Sequence, residues 1–230
     1  MAPSITDAMN AFKDDSLVQE VTSYVKDYMS RYDCSHDWHH VQRVVAMAHH
    51  IYHNSDPAFK ATLDLRTLHL AALLHDVGDH KYSTTQSDLT TLLTTLLFPA
   101  PLSESLSTII PNVSYTSERT ALSTPSGAAA QAALLAQHPE LAVVRDADRL
   151  DAMGAVGLAR MFAFGAVKGG RSLDKSMEHL DEKLLKLEGM MNTEAGKEEA
   201  RKRGERLRVF RGWWVEEVGE AGREEGVGEN

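Results

Sequence analysis

Apolar residues recur along this chain at three- and four-residue steps, and no stretch sustains the apolar–polar alternation of a strand. From Asp15 onward, Leu17, Val18, Val21, Val25 and Met29 mark one face of a first amphipathic helix, which the turn-forming Asp33 and Ser35 bring to an end. Val41, Val44, Val45, Ala48 and Ile51 mark a second, closed between Asn54 and Pro57. The segment Leu63 to Leu74 is apolar on nearly every side, which predicts a buried central helix. Proline at positions 99, 101, 111 and 125 punctuates the Ser/Thr-rich stretch Ser83 to Ser126, with short helices predicted over Leu89 to Leu97 and Leu102 to Ile110. Gly127 to Gln137 reads as an alanine-rich helix ended by His138-Pro139. Asp148 to Phe164 reads as another, whose small residues Ala152, Gly154, Ala155 and Gly157 permit close approach, and Gly165 to Ser172 as a glycine-rich loop. Two charged amphipathic helices are predicted at about Asp174 to Met191 and Thr193 to Val218, the latter with Trp213 and Trp214 packed on the body. The pattern predicts an all-α bundle in one globular domain over 15–218, with a flexible stretch at 1–14 and a disordered Gly/Glu-rich tail at 219–230.

Composition agrees with that class. The chain has 230 residues, 43% hydrophobic and 25% charged, which suits a single soluble domain with a sizeable core. No apolar run reaches the roughly 18 residues of a membrane span, and Met1 to Asp14 lacks the apolar stretch of a signal peptide. The lone Cys34 forms no internal disulfide, so a cytoplasmic protein is expected, with no membrane partner. The formal charge of −9 disfavours a nucleic-acid polymer as partner. Arg201, Lys202, Arg203, Arg206 and Arg208 are interleaved with Glu198, Glu199 and Glu205, the composition of a solvated helix face. A small anionic substrate remains compatible, because a bound cation and a few basic side chains reverse the local field.

Candidate chemistry sits in three separated segments: His36-Asp37-Trp38-His39-His40 with Arg43-Val44, His75-Asp76-Val77-Gly78-Asp79-His80-Lys81, and Asp146-Ala147-Asp148-Arg149-Leu150-Asp151. The second is the most telling, since a His-Asp pair ends the most apolar helix of the chain. A carboxylate placed there needs a cation or strong donors. Imidazole beside carboxylate suits Mn²⁺, Fe²⁺, Co²⁺ or Zn²⁺ better than Ca²⁺.

Taken together, His40, His75-Asp76 and Asp148 resemble the metal-binding signature of the HD-domain metal-dependent phosphohydrolases, an all-α helical-bundle superfamily. There the first His precedes an Arg-Val, as His40 precedes Arg43-Val44, and the last Asp follows a small residue and precedes a Leu, as in Ala147-Asp148-Arg149-Leu150. Asp146 and Asp151 stay open as alternatives. The strings His36-Asp37-Trp38, Asp146 to Ala152 and Glu182-Lys183-Leu184-Leu185 are similar to a subgroup of small bacterial and fungal members that includes manganese-dependent nucleotide pyrophosphohydrolases. The resemblance spans roughly Val18 to Val218. It implies one divalent ion, with Mn²⁺ first and Co²⁺, Fe²⁺, Mg²⁺ or Zn²⁺ as alternatives, and a small phosphorylated substrate, by similarity a nucleoside triphosphate cleaved to monophosphate and pyrophosphate. The subgroup tends to carry a basic residue after Val113-Ser114-Tyr115, where this chain has Thr116-Ser117-Glu118.

Neighbouring residues suggest further roles. Asp79 is the candidate general base, and His80 and Lys81 are candidates for stabilising phosphate charge. Arg43 either reaches a phosphate or pairs with a carboxylate; Asp151 either lines the pocket or holds a network; His36 and Asp37 are candidates for supporting a ligand ring, with Asp37 equally suited to a helix N-cap. His69, inside the apolar helix, reads as a hydrogen-bonded core residue. Two alternative chemistries are an HD-fold di-iron oxygenase, for which only His80 and His138 lie between Asp76 and Asp148, and a phosphatase or phosphodiesterase acting on a non-nucleotide ester. The long C-terminal helices offer a surface for a homodimer.

Overall fold

The central helix predicted from Leu63 to Leu74 organises the structure. In a computed structural model that describes residues 3–32, 37–78, 87–96 and 98–219, the chain order is α1 (Ile5–Met9), α2 (Ser16–Met29), α3 (Trp38–Asn54), α4 (Pro57–Lys60), α5 (Leu65–Leu74), α6 (Ser87–Thr95), α7 (Ala100–Ile109), α8 (Tyr115–Ala121), α9 (Pro125–Gln137), α10 (Pro139–Asp151), α11 (Gly154–Gly169), α12 (Leu173–Glu182) and α13 (Glu194–Val218). Short 3₁₀ turns join α7 to α8 and α12 to α13. The fold is all-α, with no strand among the described residues, and no single helix is long and apolar enough to cross a membrane.

Helix α5 lies in the middle, packed by α2, α3, α7 and α10, with Leu68, Leu70, Leu73 and Leu74 fully buried. Helix α10 packs across both α3 and α5, so the C-terminal end of α5, the first turn of α3 and the last turns of α10 converge. Local signals set the boundaries. Asp15, Asp37 and Asp64 cap α2, α3 and α5 through their side chains. Pro57, Pro101, Pro125 and Pro139 occupy the first turns of α4, α7, α9 and α10, where a missing N–H costs nothing.

Several expectations need correction. The stretch 1–14 is not simply flexible, because Ser4 and Asp7 form a reciprocal cap and α1 buries Ala8 against α3. The helix expected to run from Asp148 to Phe164 is two helices at 68°: the chain turns at Ala152-Met153, and Gly154 takes a left-handed φ of +68°. Asp148 therefore sits near the end of one helix rather than at the start of another. Gly165 is helical, not in a loop; a Cβ there would come within 2.9 Å of Ser176 Oγ, so it serves the packing of α12. The loop begins at the left-handed Gly170. The helix expected to reach Met191 stops at Glu182, and the chain tightens to 3₁₀ so that Leu184 and Leu187 are both buried at a three-residue spacing. Trp214 packs with Phe162 and Phe210, but Trp213, about 100° further round the helix, is 58% exposed. Cys34, Leu97 and residues 220–230 lie outside the described residues.

His49 of α3 meets His69 of α5 in the core, Nε2 to Nδ1 at 2.9 Å. Burial, reinforced by the nearby His53, lowers the pKa of His49 to about 4, and burial with the neighbouring His49 lowers that of His69 to about 3. Both rings are neutral in the folded protein. Below the ordinary value of 6.5 the unfolded chain takes up protons that the folded one refuses, so stability is expected to fall with pH from about 6.5 toward 3, by up to about 1.4 kcal/mol per pH unit for each ring. Urea unfolding at pH 7.5 and pH 5 checks this: the double variant His49→Gln, His69→Gln should lose less stability over that interval, and an equal loss would remove the pair as its source.

Candidate metal centre

The site is built from three helix ends. Asp37 caps α3 by accepting from the His40 backbone N–H at 2.9 Å, which places His40 in the first turn, where α3 meets α10. His40 is buried, and its Nδ1 lies 2.7 Å from Asp151 Oδ2. His75 stands just past the end of α5, its Nδ1 2.8 Å from the Ala72 carbonyl oxygen. A carbonyl and an ionised carboxylate only accept, so Nδ1 is the donor in both rings. In the neutral forms, therefore, Nε2 of each ring carries a lone pair. Those two Nε2 atoms are 3.2 Å apart.

Asp76 Oδ2 lies 3.4 Å from each Nε2, buried and accepting no hydrogen bond. Asp148 Oδ1 closes the group at 3.6 Å from His40 and 3.9 Å from His75, with its side chain 31% exposed. With both rings neutral, four electron-pair donors face one another with no protein hydrogen atom between them. Bonds of about 2.0–2.2 Å to one ion place neighbouring ligand atoms about 3–3.5 Å apart, which is the spacing of His40, His75 and Asp76. The donor set and the orphaned Asp76 oxygen fit a divalent cation.

The electrostatics carry the same demand. Burial opposes a charge on His75, yet the carboxylates of Asp76 and Asp148 outweigh it and raise its pKa to about 9. Burial likewise opposes ionisation of Asp76, but the imidazoles of His75 and His40 hold its pKa well below the ordinary carboxylate value. The cup requires positive charge.

The three aspartates of α10 point different ways, and each has different partners. Asp146 is fully buried and accepts four hydrogen bonds, from the backbone N–H and side chains of Asn192 and Thr193. It tethers the start of α13, so tightly that a Cβ on Gly196 would sit 2.3 Å from its Oδ2. Asp148, about 200° round the helix from Asp146, reaches the cup. Asp151, one turn further and 3% exposed, has both oxygens committed: Oδ1 to Arg43 Nε at 2.7 Å, and Oδ2 to His40 Nδ1, Arg43 Nη2 and Arg160 Nη1. These bonds, with the burial of its carboxylate, place Arg43 and Asp151 behind His40 as a network that fixes its tautomer.

Arg160 and Tyr28 carry no local signal for their roles. Arg160 reaches Asp151 across the turn at Gly154, and the Tyr28 hydroxyl accepts from the Gly78 N–H at 3.2 Å, behind the His-Asp doublet. His36, Asp79, His80 and Lys81 lie outside the described residues. His138 is the residue before α10, ten residues ahead of Asp148, about 15 Å along a helix, and so stands away from the cup.

The HD domain family matches residues 37–153, from the Asp37 cap to the turn after Asp151. The chain belongs to the HD domain family. Its doublet is His75-Asp76. YpgQ of Bacillus subtilis is 33% identical over 192 residues, which is 80% of this chain and 85% of that one. The crystal structure of YpgQ in complex with ADP superposes with a TM-score of 0.65 at 28% identity, covering 89% of this chain and 96% of YpgQ. An HD-superfamily hydrolase from Bacillus thuringiensis gives 0.63 at 27% identity, covering 90% and 99%. A Lactobacillus plantarum protein gives 0.70 at 24% identity over 89% and 97%, a likeness of fold. Membership makes this chain a hydrolase of the HD superfamily, a class consistent with metal-dependent phosphohydrolysis.

The two inner acids are separable by experiment. Asp146→Ala leaves four buried donors unpaired and is expected to cost about 3–5 kcal/mol of stability, with metal binding per folded molecule unchanged. Asp151→Asn, which sets an amide against the donors that now meet a carboxylate, is expected to weaken metal binding about 10–100-fold. Thermal unfolding with a Mn²⁺ titration reads both, and undiminished affinity in Asp151→Asn would refute its role.

Proposed function

We propose that this protein hydrolyses a phosphate anhydride of a nucleotide, using one divalent ion held by His40, His75, Asp76 and Asp148. The observation that carries the proposal is the buried cup itself: two imidazole lone pairs and an orphaned carboxylate oxygen at 3.2–3.4 Å, beside the half-buried Asp148. Such an ion, when bound, supplies Lewis-acid polarisation of a phosphate oxygen and activation of water for attack.

The chain's own residues do the rest. Asp76 and Asp148 balance the charge of the cation and leave room for oxygen ligands. Asp151 keeps the proton of His40 on Nδ1, so that Nε2 stays available, and Arg43 and Arg160 hold Asp151 ionised. Asp79 is assigned as the base that takes a proton from the attacking water, with His80 and Lys81 countering phosphate charge, because all three directly follow the doublet in the chain. Mixed imidazole and carboxylate ligation suits Mn²⁺, and similarity to manganese-dependent nucleotide pyrophosphohydrolases points the same way. The complex of YpgQ with ADP supports a nucleotide as substrate. For a nucleoside triphosphate, water adds at the α-phosphorus and the α–β anhydride bond breaks, giving a monophosphate and pyrophosphate.

The test is metal content of the purified protein, then turnover of ribo- and deoxyribonucleotides with added Mn²⁺. Pyrophosphate release that needs the metal, and that falls about a thousandfold or more in His75→Ala and Asp76→Ala, is the expected result. No turnover of any nucleotide by the loaded protein would overturn the nucleotide assignment, and two irons per chain without hydrolysis would replace phosphoryl chemistry with oxygen chemistry.

A further inference from the structure

Behind the metal centre, on the far side of Asp151, lies a cavity of about 190 Å³. It is an open-sided cleft bordered by α1, by the outer face of α3, by the start of α11 and by α13, with Ile5 and Val156 exposed at its edge, and it includes none of the four ligand candidates. Its volume exceeds the roughly 150 Å³ that admits a benzene-sized molecule. Ile5, Ala46, Met47 and Val156 make its walls apolar. Three nitrogen-bearing side chains, Arg43, His50 and Arg203, line it as well.

Three guanidinium groups gather round one carboxylate: Arg43 and Arg160 bond Asp151 directly, and Arg203 feels its charge. Glu199, also close by, is engaged by Lys202 at 2.9 Å and by His50 at 3.5 Å, and the charge of Asp37 acts on Arg43 as well. Neither arginine of the cavity spends all its donors. Arg43 uses Nε and Nη2 on Asp151, and Arg203 uses Nη1 on the Leu150 carbonyl while its buried Nε has no partner. Burial lowers the pKa of Arg203 from its ordinary value, the signature of a guanidinium stripped of water, and a desolvated guanidinium binds an anion more strongly than a solvated one. An apolar chamber with unspent guanidinium donors at its edge matches a ligand with an apolar body and one anionic head.

We infer that this cavity is a second binding site, for a small organic anion: a benzene-sized apolar body carrying a single carboxylate or phosphate. The body fills the space between Met47 and Val156, and the head takes hydrogen bonds from Arg43 and Arg203. Because Arg43 also holds Asp151, which orients His40, the site abuts the metal centre while remaining separate from it.

Benzoate is the probe, measured by isothermal titration against the full chain, with phenyl phosphate for the other head group and benzamide as the neutral counterpart. Saturable binding of benzoate or phenyl phosphate is expected, at least tenfold tighter than that of benzamide. Arg203→Gln should weaken it at least tenfold by removing the donor, and Met47→Trp should do the same independently by filling the chamber. Circular dichroism establishes which variants are folded, and either one suffices. Asp76→Asn, which disables the metal cup, should bind the probe as the wild type does. The inference is overturned by absence of saturable binding of both anions, by wild-type affinity in a folded Arg203→Gln or Met47→Trp, or by loss of binding in Asp76→Asn, which would place the anion at the metal instead.

Discussion

Two imidazole nitrogens, each with its proton committed elsewhere, face each other at 3.2 Å in a dry part of the core, with a carboxylate oxygen 3.4 Å from both. Three electron-pair donors held that close repel one another, and only a cation in their midst makes the arrangement favourable. The surrounding structure is organised to maintain it. Ala72 fixes the His75 ring from within its own helix, whereas Asp151 fixes His40 from another. The apolar mass of α5 keeps water from relieving the repulsion on one side. Asp148 leaves the other side open, where an ion's remaining coordination positions and a substrate oxygen would lie.

Helix α10 distributes its acids by the helical period. Asp146 ties down the start of α13, Asp148 stands at the rim of the cup, and Asp151 holds the ring of His40. The same helix turns two arginines to its other flank, where Arg145 and Arg149 are buried and both meet Glu118 of α8. Glu118 lies in the stretch that follows Val113-Ser114-Tyr115. In this chain the position supplies the buried negative charge that two desolvated guanidinium groups require. Through these pairs Glu118 ties α8 to the core.

The turn between α10 and α11 matters for the same reason. Had the helix continued straight, as the small residues after Asp151 suggest, Arg160 would be carried along the axis away from Asp151. The left-handed Gly154 folds α11 back at 68°, so that Arg160 returns to the carboxylate and the cavity behind it can form between α3, α11 and α13.

What the sequence determined by itself was whatever depends on local chemistry and period. The helical class, the buried α5 and the caps at Asp37 and Asp64 follow from side-chain spacing and from backbone donors that must be satisfied within a turn. The His-Asp doublet stood out by its place at the end of an apolar helix, but only the resemblance to the HD-domain proteins joined it to His40 and Asp148. Only the tertiary structure distinguishes the surroundings of Asp146, Asp148 and Asp151, since three acids within six positions are alike in composition and differ only in what other helices bring to them. It also decided that Arg43 serves Asp151, that Asn192 and Thr193 take up Asp146, and that the segment before Asp15 packs as a helix on α3. Each of these is a contact between residues far apart in the chain, and helical period carries no information about which faces meet across a bundle.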